Sequence, residues 1–103
     1  MLGLEATCFQ IISKSGSAKS LCFEALSDAR EGKNLESEDK IEKAKKLFIE
    51  AHLEHSKLIQ QEATGESIQL TLLLLHAEDQ LMSAETTRDL IIELIKTTKS
   101  INK

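Results

Sequence analysis

The sequence predicts an all-α fold, an antiparallel three-helix bundle in a single domain spanning residues 1–103. Proline is absent, glycine occurs four times and aromatic residues make up 3% of the chain. That composition suits helices and argues against a turn-rich β fold. Apolar residues recur at helical spacing along three segments. The short polar connections between these segments make consecutive helices antiparallel neighbours.

The first helix is predicted from about Leu4 to Arg30, and Gly32 is expected to follow it as the C′ residue. Gly16 lies inside, where it costs about 1 kcal/mol relative to alanine. It indicates either close helix packing or clearance for a partner. The predicted core stripe, broken only by the polar Ser15, comprises Leu4, Cys8, Ile11, Ala18, Cys22, Ala25 and Ala29, widened by Phe9, Ile12, Phe23 and Leu26.

The second helix is predicted over about 38–63, with Ser37 as its N-cap. Glu38 and Asp39 follow in the first turn, where acidic side chains stabilise the positive end of the helix dipole. Its inner stripe comprises Ile41, Ala44, Phe48, Ala51, His55 and Leu58.

The third helix is predicted over about 67–101, after a short connection and with Ser67 as its N-cap. It has two apolar stripes, and a helix that is apolar on two faces is buried on two faces. We expect one face to meet the core of the chain and the other to meet a partner. The first stripe comprises Leu70, Leu74, Ala77, Leu81, Ala84, Ile91 and Ile95, and the second Ile68, Leu72, Leu75, Asp79 and Met82.

Charge and composition argue against several classes of protein. The net charge is −4 and no basic stripe with interleaved aromatic residues is present, which makes nucleic-acid binding unexpected. No run approaches the roughly 20 apolar residues of a membrane span, and no signal peptide is recognised at the start. We therefore expect a cytoplasmic protein without membrane insertion, in which Cys8 and Cys22 are reduced core residues.

A polar interruption in the third helix marks the candidate site. His76, Glu78, Asp79 and Gln80 follow four leucines and precede renewed apolar residues. His76 shares a helix surface with Asp79 at i+3 and with Gln80 at i+4. Asp79 lies in the second apolar stripe, where an ionised carboxylate is costly unless it is paired.

The segment from Leu75 to Met82 resembles the phosphorylation-site segment of the enzyme IIA component of the lactose/cellobiose branch of the bacterial sugar phosphotransferase system. The usual family form is His-(Ala/Gly)-Gln-Asp-His-Leu-Met, so Glu78 replaces a glutamine and Gln80 replaces the second histidine. Residues 16–26 resemble the first helix of the family, and residues 50–63 resemble its second. Within the latter, His52 matches a family position and His55 falls where the family usually has glutamine.

This resemblance implies a homotrimer of nine helices and a phosphoryl carrier in sugar uptake. His76 would accept a phosphoryl group from the carrier protein HPr, as a tele-phosphohistidine. It would then pass the group to a cysteine of the IIB component, which serves the IIC permease. Histidine suits this role because its neutral imidazole is available near neutral pH. Gln80 is a candidate hydrogen-bond donor to the phosphoryl group, and His52 is a candidate groove residue.

The resemblance also implies a metal site. One Asp79 from each subunit would converge on the trimer axis, where three carboxylates repel one another. A hard divalent cation, with Mg²⁺ as the expected ion, would offset this repulsion. We expect one such ion per trimer and Glu78 in solvent on another face of the helix.

Two other functions stay open at this stage. One is a non-enzymatic trimeric scaffold or regulatory binding protein with the same fold, because Glu78 and Gln80 depart from the usual motif. The other is a metal-storage or di-iron bundle, which the i, i+3 spacing of His52 and His55 would suit. Di-iron bundles use Glu-x-x-His pairs, and no histidine here has glutamate three residues before it.

Overall fold

The computed structural model describes residues 2–102, with side chains from Gly3 onward. Three α-helices account for most of this range: α1 (Leu2–Arg30), α2 (Asn34–Ala63) and α3 (Leu72–Ile101). The described residues include no β-strand. The predicted all-α class with three helices is therefore confirmed.

Ion pairs between the helices show in which direction each helix runs relative to the others. Lys14 lies 2.7 Å from Glu50, and Lys40 lies 2.6 Å from Asp28, so α1 and α2 are antiparallel. Lys99 near the end of α3 approaches Glu38 near the start of α2 at 3.4 Å. α1 packs closely against both other helices, whereas α2 and α3 meet mainly through long side chains. The result is a rod with extents of 55 × 21 × 18 Å.

The core forms along the stripes that helical periodicity predicts. Every small or β-branched member of the α1 stripe from Cys8 to Ala29 is buried, and so is the polar Ser15. Small side chains allow α1 to lie close to both partners, which explains its central position. The buried apolar residues of the other two helices are Ala44, Phe48, Ala51 and Leu58 of α2, and Leu74, Ala77, Leu81, Ala84, Ile91 and Ile95 of α3.

Two expectations for α1 are wrong. Phe9 and Phe23 do not widen the core stripe, because they are 58% and 54% exposed on a neighbouring face of the helix. Gly16 does not mark close packing within the chain, because a Cβ atom placed there would have no neighbour within 4 Å. The end of the helix follows the prediction, since Gly32 adopts a left-handed φ of 77° two residues after Arg30.

α2 begins earlier than predicted, and Ser37 is not its N-cap. The cap position is Lys33, which makes no side-chain capping bond. Ser37 instead lies inside the first turns of α2 and is 1% exposed. Its hydroxyl donates a hydrogen bond of 2.8 Å to the Ala25 carbonyl of α1. A serine that suits a cap position is used here to join two helices.

α3 begins later than predicted, and Ser67 is not its N-cap. Residues 64–71 are non-helical and start with a turn in which Gly65 has a φ of 92°. Thr71 caps the helix, because its hydroxyl accepts a 3.1 Å hydrogen bond from the Leu74 backbone N–H. Leu70, assigned to the core stripe of a longer helix, therefore lies before α3 and is 75% exposed.

Candidate functional site on α3

α3 carries an apolar face that its own chain leaves uncovered. Leu75 and Met82 are 55% and 60% exposed, and Asp79 lies between them in an exposed position. We call Leu72, Leu75, Asp79, Met82 and Leu90 the outer stripe; the first four recur at intervals of three and four residues, and Leu90 lies five helical turns after Leu72 on the same side. The second apolar stripe, predicted from Ile68 to Met82, lies at the surface of a single chain from Leu72 onward. Its first member is an exception, because Ile68 precedes α3 and packs against the core.

His76 lies next to the outer stripe, in the second turn of α3. Its side chain is exposed, and it forms no hydrogen bond or ion pair with any other residue of the range 2–102. Gln80 follows one turn later on the same side and is half-buried. The structure therefore brings His76, Asp79 and Gln80 onto one surface of the helix, as their spacing predicts.

The opposite side of α3 faces α2 and carries two histidine–carboxylate contacts. His55 Nδ1 lies 2.8 Å from Glu78 Oε1, and His52 Nε2 lies 2.5 Å from Glu85 Oε2. At about 100° per residue, Glu78 points roughly 200° away from His76. The expectation that Glu78 is solvated is wrong, because its side chain is only 30% exposed and is paired with His55.

His52 does not join His76 within one chain. Its partner Glu85 lies nine residues after His76, which corresponds to about 180° around the helix. The contact therefore places His52 beside α3 on the side that faces away from the surface with His76, Asp79 and Gln80. His52 is half-exposed, with a side-chain exposure of 49%.

Sequence reasoning missed the role of Glu78 and of Glu85 as partners for the α2 histidines. The i, i+3 spacing of His52 and His55 drew attention to metal binding instead. The one available signal was that Glu78 and His55 both stand where the family usually has glutamine. The two departures lie 23 positions apart in the chain, and only the structure shows that they contact each other.

No single chain provides a metal site among residues 2–102, which hold no group of three or more potential ligand side chains. Asp79 supplies one carboxylate, and no residue of that range forms an ion pair with it. Carboxylate oxygens suit hard cations such as Mg²⁺. The donor type therefore fits the expected ion, but one carboxylate alone does not form a site.

The surroundings of the two buried thiols, Cys8 and Cys22, favour their protonated form. Burial raises the pKa of Cys8 above its ordinary value of 9.0, and the negative charges of Glu78 and Glu5 raise it further. Burial also raises the pKa of Cys22, which the positive charge of Arg88 partly offsets. Both side chains are free thiols, and a thiol that stays protonated is a poor nucleophile and metal ligand.

None of the helices in the described range has the length and apolar character needed to cross a membrane.

Comparisons with known proteins identify the family of the chain. The family model described as "PTS system, Lactose/Cellobiose specific IIA subunit" matches residues 6–99. The lichenan-specific phosphotransferase enzyme IIA component of Bacillus subtilis is 37% identical, over 97% of this chain and 91% of its own length.

Two solved structures show the same fold. The cellobiose-specific enzyme IIA of Bacillus anthracis superposes with a TM-score of 0.92 at 41% identity, covering 94% of this chain and 89% of that one. The IIA(Chitobiose)–HPr complex from Escherichia coli superposes with a TM-score of 0.84 at 31% identity, covering 97% of this chain and 97% of that one. The chain therefore belongs to the lactose/cellobiose-specific IIA family and is a component of the sugar phosphotransferase system.

Proposed function

We propose that this protein carries phosphoryl groups on His76, accepting them from phospho-HPr and passing them to a cysteine of the IIB component in the cytoplasm. The observation that carries the proposal is the state of the three histidines. His52 and His55 are each paired with a glutamate, whereas His76 is exposed and has no partner among residues 2–102. The solved complex of a related IIA with HPr supports HPr as the donor.

The proposed transfer is an in-line exchange between two imidazoles. The His76 Nε2 lone pair forms a bond to phosphorus as the bond from phosphorus to the HPr histidine nitrogen breaks. The electron pair of the broken bond stays on the HPr ring, which takes up a proton, and His76 releases its ring proton to solvent. In the next step a IIB cysteine thiolate forms a bond to the same phosphorus as the bond to His76 Nε2 breaks. The electron pair of that bond stays on the His76 ring, which takes up a proton and becomes neutral again. Positioning and charge stabilisation supply the catalysis.

Gln80 is proposed to bind the phosphoryl oxygens. Its side chain lies one turn after His76 on the same side of α3 and is half-buried, which restricts its motion. An amide NH₂ group donates two hydrogen bonds without adding charge. The glutamine can therefore stabilise the phosphoryl group after transfer and still release it to IIB.

We further propose that three chains assemble through the outer stripe of α3 into a nine-helix homotrimer. The support is the exposure of large apolar side chains along that stripe, of which Leu72 is 83% and Leu90 is 61% exposed. A contiguous apolar face of this kind marks an interaction site. Three-fold packing would bury it and bring three Asp79 carboxylates together.

A divalent cation, proposed to be one Mg²⁺ per trimer, would be held by these three Asp79 side chains. When bound, it would neutralise carboxylates that otherwise repel each other. Asp79 is adjacent to the exposed Leu75 and Met82, so the carboxylates would be enclosed by apolar side chains. The ion is proposed for the stability of the assembly, and no phosphoryl-transfer step passes through it.

Related IIA proteins are named for different sugars. The two related proteins and the HPr complex carry the names of lichenan, cellobiose and chitobiose, which are three different specificities. We propose that selection resides in the IIB and IIC partners.

The phosphoacceptor is tested with purified enzyme I, HPr and phosphoenolpyruvate. Intact mass should increase by one phosphoryl group per chain, and the adduct should be labile to acid and stable to base because phosphorus is bound to nitrogen. His76→Ala should abolish the adduct while retaining helical content, because the side chain is exposed. Full phosphorylation of that variant would refute the assignment to His76, and an unphosphorylated wild type would favour the scaffold alternative.

Two further variants separate the neighbouring residues. His52→Ala should still be phosphorylated, because the structure places His52 on the α2 side of α3. Gln80→Ala should slow transfer roughly 10- to 100-fold, since a hydrogen bond to a charged group contributes about 1.5–3 kcal/mol. An unchanged rate for Gln80→Ala would remove this residue from the site.

The assembly and its ion are tested together by light scattering and by thermal unfolding with and without chelator. The wild type should have the mass of a trimer at micromolar concentration and should melt at a lower temperature in chelator. Asp79→Leu should remove the chelator effect and retain the trimer, because leucine continues the apolar stripe. A monomeric wild type contradicts the trimer, and a wild type insensitive to chelator contradicts the ion.

A further inference from the structure

The contact between His55 and Glu78 joins α2 to the second turn of α3. The Nδ1–Oε1 distance is 2.8 Å, and the two side chains are 28% and 30% exposed. A half-buried hydrogen bond to a carboxylate is stronger than an exposed one, because less water competes for either group. Among residues 2–102 it is the first side-chain hydrogen bond along α3 that reaches another helix.

This contact holds the part of α3 that most needs support. The helix starts at Leu72 after the non-helical residues 64–71, and first turns of helices have few internal hydrogen bonds. Before Glu78, the Thr71 cap, the buried Leu74 and Ala77 and the partly buried Leu73 hold the helix in place, and none of them forms a side-chain hydrogen bond to another helix. The exposed His76 has no side-chain partner of its own in the described range, so its position follows from that of the helix backbone.

A small cavity beside the pair indicates how the contact reaches His76. It has a volume of about 200 Å³ and is lined on the α3 side by Leu74, Leu75 and Glu78. Leu74 and Leu75 immediately precede His76 in the chain. Because this groove is open to solvent, few side chains other than His55 hold Glu78 against α2 at this point.

We propose that His55 is a positioning residue for the phosphoacceptor, acting through Glu78 to hold the turn of His76 against α2. This inference rests on the proposed function. His55 and Glu78 stand at two positions where the resemblance expects glutamine, and here the two departures meet each other. The glutamate at position 78, in place of the glutamine that the resemblance expects, thus helps to hold α3 against α2. It does so on the side of α3 that faces away from the phosphoryl group.

The test measures phosphoryl transfer from phospho-HPr for His55→Ala, Glu78→Ala and the double variant. Misplacing a nucleophile lowers the rate of the chemical step, so we expect kcat to fall roughly tenfold in each single variant, with KM for phospho-HPr unchanged. The double variant should be no slower than either single one, because both remove the same contact. Additive losses, or wild-type rates, would overturn the proposal.

Two controls distinguish positioning from loss of stability. Glu85→Ala removes the other carboxylate that pairs with an α2 histidine, nine residues beyond His76, and should leave kcat within about twofold. The double substitution His55→Gln with Glu78→Gln should restore the rate, because two amides can form one hydrogen bond without charge. Failure of that rescue, or an equal loss in Glu85→Ala, contradicts a specific role for His55.

Amide hydrogen exchange separates this inference from the proposed function. In His55→Ala, exchange should accelerate over residues 72–80 and stay unchanged over residues 88–98. If the wild type accepts no phosphoryl group, the proposed function fails and the role of His55 in transfer fails with it. If the wild type is phosphorylated but exchange over residues 72–80 does not change, only the positioning proposal fails.

Discussion

The core of the bundle mixes small and large apolar residues, whereas the apolar members of the outer stripe of α3 are all large. The core contains nine alanine or cysteine side chains that are buried to 2% exposure or less, including Cys8, Ala51 and Ala77. The outer stripe has leucine and methionine, which remain half or more exposed in a single chain. Small residues bring helix axes close together, whereas large ones gain more free energy when a second surface covers them.

This difference assigns the two surfaces to two levels of assembly. Each chain folds around α1 through close contacts of small residues, and little free energy per residue comes from their burial. The large apolar side chains of the outer stripe remain exposed in a single chain, and the proposed trimer would bury them; small domains often need association of this kind for stability. Stability should therefore depend on protein concentration if the outer stripe is buried between chains.

The largest expected effect is the difference in stability between alanine substitutions at Leu81 and at its neighbour Met82. Leu81 is 2% exposed and Met82 is 60% exposed. Leu81→Ala should lower the free energy of unfolding by about 2–5 kcal/mol at every protein concentration, because it leaves a cavity in the core. Met82→Ala should change trimer mass on dilution and leave the stability of a single chain within about 0.5 kcal/mol. Urea unfolding at two concentrations, with light scattering, measures both effects. Equal effects of the two substitutions would remove the distinction between the surfaces.

A smaller effect is expected from two serines inside the bundle. Ser37 and Ser15 are each 1% exposed, but Ser37 donates to the Ala25 carbonyl and the Ser15 hydroxyl has no partner among the described residues. Ser37→Ala should destabilise by about 1 kcal/mol. Ser15→Ala should be neutral or stabilise by up to about 1 kcal/mol, because it removes a buried polar group that forms no bond.

Thermal unfolding of the two serine variants provides a matched comparison, since the same hydroxyl is removed from a helix in each. A loss of stability in Ser15→Ala equal to that in Ser37→Ala would show that Ser15 has a partner, such as a bound water.

The smallest effect concerns the buried thiols at alkaline pH. Burial raises the pKa of both Cys8 and Cys22, so the unfolded chain loses these protons at a lower pH than the folded one. The contribution of the two thiols to the free energy of unfolding is complete below the ordinary thiol pKa of 9.0. It is lost as pH rises through the pKa of the folded state. The free energy of unfolding should therefore fall above pH 9.

The control for this effect is the double variant Cys8→Ala with Cys22→Ala, in which the decline should be shallower. The remaining slope includes Lys40, whose pKa is raised by its hydrogen bond to Asp28 and which therefore acts in the same direction. Identical slopes for the variant and the wild type would show that the thiols ionise as readily inside the bundle as outside.

Helical periodicity predicted most of the fold because it depends on spacing that the sequence displays directly. The buried members of all three stripes, from Cys8 to Ile95, follow it closely. The starts of helices were less predictable, because Ser37, Ser67 and Thr71 are all suitable cap residues. Only the packing of α2 against α1 shows that Ser37 is needed elsewhere, as a donor to the Ala25 carbonyl.

The surface that carries His76, Asp79 and Gln80 was predictable for the same reason, since these residues lie within two turns of one helix. The contact between His55 and Glu78, on the opposite side of α3, was not predictable from the sequence. His55 and Glu78 are 23 positions apart in the chain, and no local pattern links them. Their contact depends on how α2 and α3 align after residues 64–71, which periodicity within each helix does not determine.

The rod-like shape of the chain has a consequence for rotational motion. A particle of 55 × 21 × 18 Å rotates faster about its long axis than about the other two. Backbone ¹⁵N relaxation of amides along α1 and amides in the 64–71 connection, whose N–H bonds point in other directions, should then differ for a lone chain. Three such rods packed around one axis would be roughly twice as wide as a single rod and equally long, so the same measurement on a trimer should report slower and more uniform tumbling.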